Sequence, residues 1–399
     1  MLSARSVPIV RATLPVVGAH ITDITDLFYR KLFEAHPTLL RDLFNRGNQA
    51  SGTQKQALAG SIAAFAGMLL ERPDERPDAL LQRIAHKHAS LGVTPEQYKI
   101  VHQHLFEAIA EVLGEAVTPE VGAAWDEVYW LMAHALIAVE ARLYEESGTA
   151  GGTVRRPMTI VERHAETPDT VSFGLRPADG LPLAPFRPGQ YVSVQVELPD
   201  GAHQIRQYSL SAAPGRDHWR ITVKRVDGGP DPDGEVSHHL HAHARPGDVL
   251  TVSAPFGDLV LPPGDGPLLL ASAGIGCTPM LAMLDHLATT APTRPVTVVH
   301  ADRSPGSHAH RAEQLALVDR LPHAALHLWY EDPGPDTGTP ARTGLADAGV
   351  LDLPEGVTAY LCGPLPFLRS FRSDLLRCGV PARSVHYEVF GPDLWLGQD

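Results

Sequence analysis

Two histidines lie two residues apart in LLQRIAHKHASLGV (Leu80–Val93), and either type of ring nitrogen could hold a metal or move a proton. On a helix, positions three and four apart share a face. Leu81, Ile84, His88 and Leu91 then form one apolar stripe, while His86 falls with Gln82, Arg83 and Ser90 on the polar side. The spacing predicts His88 inward and His86 outward. An inward histidine is more often a satisfied core residue than a ligand, so the neighbouring helical stretches carry the decision. Gln54 alone interrupts the apolar stripe Leu58, Ile62, Phe65, Leu69, and Tyr29 adjoins Phe28, Leu32 and Phe33. A third inward row holds Tyr129, Met132, Leu136, Glu140 and Leu143, and Tyr98 shares a face with Val101 and Leu105. Each polar residue has an ordinary reading: Gln54 near a helix start, Glu140 near a helix end, tyrosine hydroxyls reaching water. Unpaired buried polar groups are costly, however. One histidine, two tyrosines, a glutamine and a glutamate on inward faces of one helical region point to a single internal polar site. His102 also faces inward and stands as a rival ligand.

The elements that must position these residues follow three rhythms. Residues 1–146 are helical in pattern, and Ser147–Thr153 (SGTAGGT) reads as a linker, with its core at 147–152. From 153 to 263 short alternating runs (YVSVQVEL, RITVKRV, DVLTVSAP) separated by turn pairs predict an antiparallel β-barrel. From 264 to 399 strands alternate with helices, as in PLLLASA followed by TPMLAMLDHLA, which predicts an α/β unit on a parallel sheet. The expected fold is therefore multidomain: all-α, then antiparallel barrel, then parallel-sheet α/β. The net charge of −13 leaves no basic face for nucleic acid and no polybasic membrane patch. No apolar run approaches the roughly 20 residues that span a bilayer. Three cysteines, Cys277, Cys362 and Cys378, suit reduced thiols. A soluble cytoplasmic monomer without integral membrane association is expected.

In the barrel, HQIRQYSLSAAP places Arg206-Gln207-Tyr208-Ser209 at a strand end, a short motif that a surface arginine beside strand-forming residues would also give. Its setting adds weight: FRPGQYVSV precedes it, and Gly234-Glu235-Val236-Ser237 opens a helix whose N-terminus suits an anion. In the last unit Gly274-Ile275-Gly276-Cys277-Thr278-Pro279 joins a strand to a helix, with glycines that let backbone approach a phosphate. Cys362-Gly363-Pro364 ends a later strand, where a small buried hydrophobe is the plain reading of Cys362.

The stretches LFYRKLFEAHP, RDLFNRGNQASGTQKQAL, IAHKHASLGVTPEQY and VEARLYEE resemble the globin domain of bacterial flavohaemoglobins. That resemblance implies haem b, with His88 as the iron ligand, Tyr98 and Glu140 hydrogen-bonded around it, Tyr29, Gln54 and Leu58 in the distal pocket and Phe44 against the haem. The two following regions resemble the ferredoxin-reductase-like flavin and nucleotide domains. They imply FAD held by Arg206, Gln207, Tyr208, Ser209, Tyr191 and Gly234–Ser237, with Arg206 on the pyrophosphate and Tyr208 on the ring system. They also imply NADH or NADPH at Gly274–Pro279 and Cys362–Pro364, with Glu388, Val389 and Phe390 near the flavin. Two departures stand out: Pro230–Asp233 lengthens a turn, and Cys277 replaces an expected polar residue. The implied activity is nitric oxide dioxygenase, acting on O2 and nitric oxide and serving nitric oxide detoxification. An oxygen-carrying or sensing globin, or a flavin or ferric reductase, are the alternatives. For the dinucleotide, Asp302 suits a ribose hydroxyl and Arg303 a 2′-phosphate, so the choice between NADH and NADPH stays open.

Overall fold

The computed structural model describes residues 1–50, 52–75, 77–149, 153–229, 232–334 and 340–391. Residues 150–152 of the linker, and Pro230 and Asp231 of the lengthened turn, lie outside them. Among the described residues the first unit has eight α-helices: α1 (Ser6–Ala19), α2 (Ile21–Ala35), α3 (Pro37–Asp42), α4 (Arg46–Ala50), α5 (Thr53–Glu71), α6 (Asp78–Leu91), α7 (Pro95–Leu113) and α8 (Pro119–Glu146). Local chemistry sets several of their ends. Thr94 and Gln97 form a reciprocal capping box before α7, and Pro95 supplies its first residue, where no amide donor is needed. Gly92 ends α6 at φ +73°, a left-handed conformation that a side chain would resist. α2 packs on α7 and α5, and α6 on α8, around Phe28, Leu32, Phe65, Leu105 and Leu136.

The second unit is a six-stranded antiparallel sheet: β1 (Arg155–Thr167), β2 (Thr170–Pro177), β3 (Tyr191–Glu197), β4 (His203–Ser209), β5 (Trp219–Lys224) and β6 (Val249–Ser253), in the order β4-β3-β6-β1-β2-β5. A bridge between Leu210 and Ile221 closes the two outer strands on each other, so the sheet is a barrel. Its interior is rich in Val and Leu, and α9 (Glu235–His243) packs on it through Val236 and Leu240.

The third unit carries β7 (Leu268–Ala273), β8 (Val296–Asp302), β9 (Ala324–Tyr330), β10 (Arg342–Thr343), β11 (Thr358–Cys362) and β12 (Val385–Glu388) as a parallel sheet in the order β10-β9-β8-β7-β11-β12. Its helices are α10 (Cys277–Thr290), α11 (Arg311–Asp319) and α12 (Leu365–Arg377). Along β7, Leu268 and Leu270 face α10, whereas Leu269 and Ala271 face α12. Both faces are covered, which is why this strand is a continuous apolar run rather than an alternation. Leu259 and Leu261 already pack in the α10 core, ahead of residue 264, although the last barrel strand ends at Ser253. Among the described residues no helix is long and apolar enough to cross a membrane.

Candidate functional site

The inward stripe of α6 delivers His88 into a cavity of about 1100 Å3 between the helical unit and the barrel. Its Nδ1 lies 2.9 Å from Glu140 Oε1 and 2.9 Å from the Tyr98 hydroxyl, and that hydroxyl donates to the same Oε1 at 2.5 Å. A carboxylate only accepts, so Nδ1 carries a hydrogen and the Nε2 lone pair is left for a ligand. Glu140 is 2% exposed, so these two donors stand in for the water it has lost. Burial first, then the charge of Glu140, holds the Tyr98 phenol far above its ordinary range, so its proton stays on. The rival histidine is not in the cavity lining: His102 stacks on Phe106 and Trp130, and its Nε2 meets Asp126 Oδ1 at 2.7 Å.

Across the cavity stand Tyr29 from α2, Gln54 and Leu58 from α5, and Phe44 from the α3–α4 turn. Phe44 meets the Tyr29 ring edge-on at 5.9 Å and that of Phe33 at 5.3 Å. Burial raises the Tyr29 hydroxyl well above its usual range, with Gln54 and Gln49 partly offsetting it. It therefore stands, beside Gln54, as a hydrogen donor in a largely apolar chamber. Ile84, Val101, Leu105, Met132 and Leu136 complete the walls. A flat apolar macrocycle bearing a metal fits this donor set and lining: one lone pair on a buttressed imidazole, aromatic and aliphatic walls, and a donor opposite.

The same cavity continues into the barrel, where Tyr191, Arg206, Gln207, Tyr208, Ser209, Gly234, Glu235, Ser237, Glu388, Val389 and Phe390 line it, together with Ile275 and Thr278. Arg206 Nη1 donates to Ile205 O at 2.8 Å and Gln204 Oε1 at 3.3 Å, while its Nε and Nη2 meet no acceptor among the described residues. Guanidinium donors left free in a cavity suit an anion. A Cβ at Gly234 would come within 2.7 Å of Ser237 Oγ and 2.9 Å of Val226 Cβ, so the turn before α9 is closed to any side chain. These features fit a dinucleotide whose phosphates meet Arg206 and the α9 N-terminus.

Several expected residues sit elsewhere. The thiols of Cys277 and Cys362 are fully buried in the α10 core and do not line the cavity, so neither side chain is available to a cofactor. Val236 packs in the barrel core, and Gly274, Gly276, Pro279, Gly363 and Pro364 are likewise outside the cavity lining. Gly276 has a packing reason of its own, because a Cβ there would lie 2.2 Å from Cys362 O and 2.8 Å from Gly363 N. The glycine lets the β7–α10 turn press on the β11 loop. Asp302 turns inward: Oδ1 accepts from Arg303 N at 2.7 Å and Ser307 Oγ at 2.6 Å, and the side chain is 3% exposed. Arg303 beside it reaches Asp169 of the barrel at 3.5 Å.

The polar face of α6 is not solvated as its composition suggests. His86 Nδ1 accepts from Gly257 N at 3.0 Å, Ser90 is fully buried against Ser193 Oγ at 2.9 Å, and the Arg83 guanidinium lies 4.1 Å over the Tyr387 ring. Lys87 escaped the sequence reading altogether. It donates to Gln207 Oε1, and Gln207 Nε2 donates to Ser193 Oγ at 2.9 Å. Burial pushes the Lys87 amine down to about 8, with Glu388 pulling upward and Arg206 downward. A lysine in sequence carries no sign that another domain will cover it. Arg46, also missed, joins the units from the other side through Asp200 at 2.6 Å and Glu235 at 2.7 Å.

Comparison with known proteins agrees with this division into three. The globin family matches residues 26–136, the oxidoreductase FAD-binding domain residues 157–260 and the oxidoreductase NAD-binding domain residues 270–373. A flavohemoprotein of Chromobacterium violaceum is 43% identical, covering 98% of each chain. The chain belongs to the flavohemoprotein family. A second flavohemoprotein, from Rhizobium meliloti, is 42% identical over 99% of this chain and 100% of its own. The crystal structure of a Malassezia yamatoensis flavohemoglobin with bound FAD and heme superposes with a TM-score of 0.89 at 38% identity, covering 98% of this chain and 100% of that one. The FAD/NAD-binding domain of a Vibrio cholerae nitric oxide dioxygenase gives 0.56 at 37% identity over 59% of this chain and 99% of its own. As a flavohemoprotein, the chain is an oxidoreductase that uses haem, FAD and NAD(P)H.

Proposed function

We propose that this flavohemoprotein is an NAD(P)H-dependent nitric oxide dioxygenase that detoxifies nitric oxide, converting it with O2 to nitrate. Two nitric oxide and two O2 are consumed per NAD(P)H, which leaves as NAD(P)+ with one proton released. The observation that carries the reading is the continuous cavity joining His88 to the Arg206–Ser209 strand, because it brings an iron site and a flavin site together in one space. When bound, FAD takes a hydride and gives up electrons singly, and haem iron takes them one at a time and supplies the centre for oxygen chemistry.

The chain's own residues do the rest. His88 would hold the iron through Nε2, while Glu140 and Tyr98 keep the Nδ1 proton in place and fix the ring. Tyr29 offers a hydroxyl hydrogen to charge that develops on oxygen, a stabilisation that works best where water is excluded. Gln54 keeps that hydroxyl oriented, and Leu58 and Phe44 keep the chamber apolar. Arg206, with Gly234–Ser237, would hold the FAD diphosphate, and Tyr191, Gln207, Tyr208 and Ser209 would line its ring system. Lys87 places a cationic group between the two cofactor regions. Gly274–Pro279 would approach the NAD(P)H diphosphate, with the Cys362–Pro364 turn and Glu388–Phe390 toward the nicotinamide and flavin. The three cysteines, suited to reduced thiols, support a place in the cytoplasm.

The test is NADH-coupled nitric oxide consumption in air by protein loaded with both cofactors, followed at a nitric oxide electrode with nitrate assayed at the end. Nitrate should match the nitric oxide lost, at twice the NADH oxidised. Protein that binds O2 but removes no nitric oxide would be a carrier or sensor, and the reading would be wrong.

A further inference from the structure

Beside the cofactor cavity, which Thr222 borders, one buried charged cluster has no part in the chemistry above. Among the described residues His310 is the only one other than glycine with positive φ, at +57°. Glycine would adopt that left-handed conformation freely, so a histidine there calls for a reason in its side chain. The ring is 2% exposed. Its Nδ1 lies 3.3 Å from Glu166 Oε2 on β1 and 3.1 Å from Glu313 Oε2 in the first turn of α11, and Nε2 lies 2.9 Å from Thr222 Oγ1 on β5. Both carboxylates only accept, so Nδ1 donates to them.

The barrel side of this contact is itself braced. Arg220 of β5 meets both oxygens of Glu313 at 2.9 Å, Ser172 donates to Glu166 at 2.5 Å, and Thr222 pairs with Ser211 at 2.9 Å. Burial would raise the Glu313 carboxyl, but His310 and Arg220 outweigh it and hold it down at about 2, so Glu313 stays charged. Apolar packing would hold two domains together at lower desolvation cost; a satisfied polar network instead selects one geometry. That geometry reaches the nucleotide side through the preceding residue, because Ala309 O accepts from Cys277 Sγ at 3.8 Å, and Cys277 opens α10 beside the Gly274–Gly276 turn.

We propose that His310 is a positioning residue for hydride transfer, pinning the NAD(P) domain to the flavin barrel so that nicotinamide and flavin meet in one register. The proposal rests on the NAD(P)H-to-FAD reading and touches neither cofactor directly. It is tested on full-length protein loaded with FAD and haem, by stopped-flow reduction of the flavin with NADH. His310→Ala should slow the limiting rate at saturating NADH by about tenfold or more, since about 1 Å of misplacement can cost 100-fold. The NADH concentration for half-maximal rate should change little, and the nicotinamide–flavin charge-transfer absorbance should weaken. Electron transfer from chemically reduced flavin to haem should be unaltered. His310→Asn, which tolerates left-handed backbone and puts an amide where Nδ1 stands, should recover most of the rate. Thr222→Val, which removes the Nε2 partner together with the Ser211 bond but leaves both carboxylates on Nδ1, should give an intermediate rate and covers the case in which His310→Ala does not fold. A lower melting temperature with wild-type limiting rate and charge-transfer band would overturn the proposal, as would Asn performing no better than Ala or Thr222→Val matching wild type. Failure of wild-type protein to reduce its flavin with NADH would sink the hydride reading itself, which separates the two.

Discussion

Glu140→Gln changes a single buried oxygen to an amide nitrogen and removes one charge. The surviving acceptor has to serve two donors, Tyr98 at 2.5 Å and His88 Nδ1 at 2.9 Å, in a position 2% exposed. Hydrogen bonds to a charged group contribute about 1.5–3 kcal/mol and neutral ones about 0.5–1.5, so each bond weakens by about 1 kcal/mol and the pair by about 2. That weakening falls on whichever iron state draws more on the imidazole, which is the oxidised one. For a one-electron couple 59 mV corresponds to a tenfold change, so about 2 kcal/mol becomes roughly 85 mV. The haem midpoint potential should therefore rise by roughly 50–100 mV in the variant. Spectroelectrochemical titration of the full-length protein measures it, with the FAD couple in the same sample as internal reference. Tyr98→Phe keeps the carboxylate and loses one hydrogen bond, so its shift should be the smaller of the two. A Glu140→Gln midpoint within about 20 mV of wild type, with haem fully bound, would refute the assignment of the Tyr98–Glu140 pair to the iron ligand. So would a larger shift in Tyr98→Phe.

Tyr29→Phe keeps the ring and removes the donor, so O2 should dissociate about 10–150-fold faster by flash photolysis, with NADH-to-flavin reduction unchanged. His88→Ala should lose haem absorbance while retaining FAD, and His102→Ala, which disturbs the Asp126 bond and the Phe106, Tyr129 and Trp130 ring contacts, should retain haem. Gly276→Ala forces a methyl to 2.2 Å from a backbone carbonyl; overpacking of this kind costs about 1–3 kcal/mol, and flavin reduction by NADH should slow while O2 binding persists. His308, stacked at 3.8 Å on His300, is pushed down to about 2, by burial first and then by His300. It stays neutral when folded but takes a proton below about pH 6.5 when unfolded, so stability should fall by about 1.4 kcal/mol per pH unit below that point. His308→Gln should flatten that slope in denaturant midpoints compared at about pH 6.5 and 5.5.

The parts of the site that lie on one regular element were legible, because periodicity states which way a side chain points. Leu81, Ile84 and His88 read correctly from α6 alone, and Tyr98 and Glu140 from α7 and α8, although only packing could bring the three onto shared oxygen and nitrogen atoms. Packing also settled His102, whose inward position is real but ends in an aromatic stack. Polar faces were misjudged for a physical reason. Ser90, His86 and Lys87 have the composition of a solvated surface, and nothing local distinguishes water from a neighbouring domain. The same limit applies to Asp302, placed correctly at the end of β8 but turned inward by Ser307 and the Arg303 amide. Cys277 departs from the expected residue type because its side chain meets Ala309 in a core, not a cofactor.

Gln204 has a bearing on how far the three units can be treated as interchangeable parts. This fully buried barrel side chain donates to Arg41 O at 2.9 Å, Phe44 O at 3.3 Å and Leu40 O at 3.4 Å, and accepts from Arg46 N and Arg206 Nη1, both at 3.3 Å. The short turn that aims Phe44 thus borrows its hydrogen-bond partner from a strand more than 150 positions away in the chain. An excised helical unit would surrender those carbonyls to water and loosen the aromatic wall beside Tyr29. A chimera that grafts a foreign reductase behind this globin would have to supply an amide at the same strand position, or accept a slacker pocket, whatever its own catalytic competence.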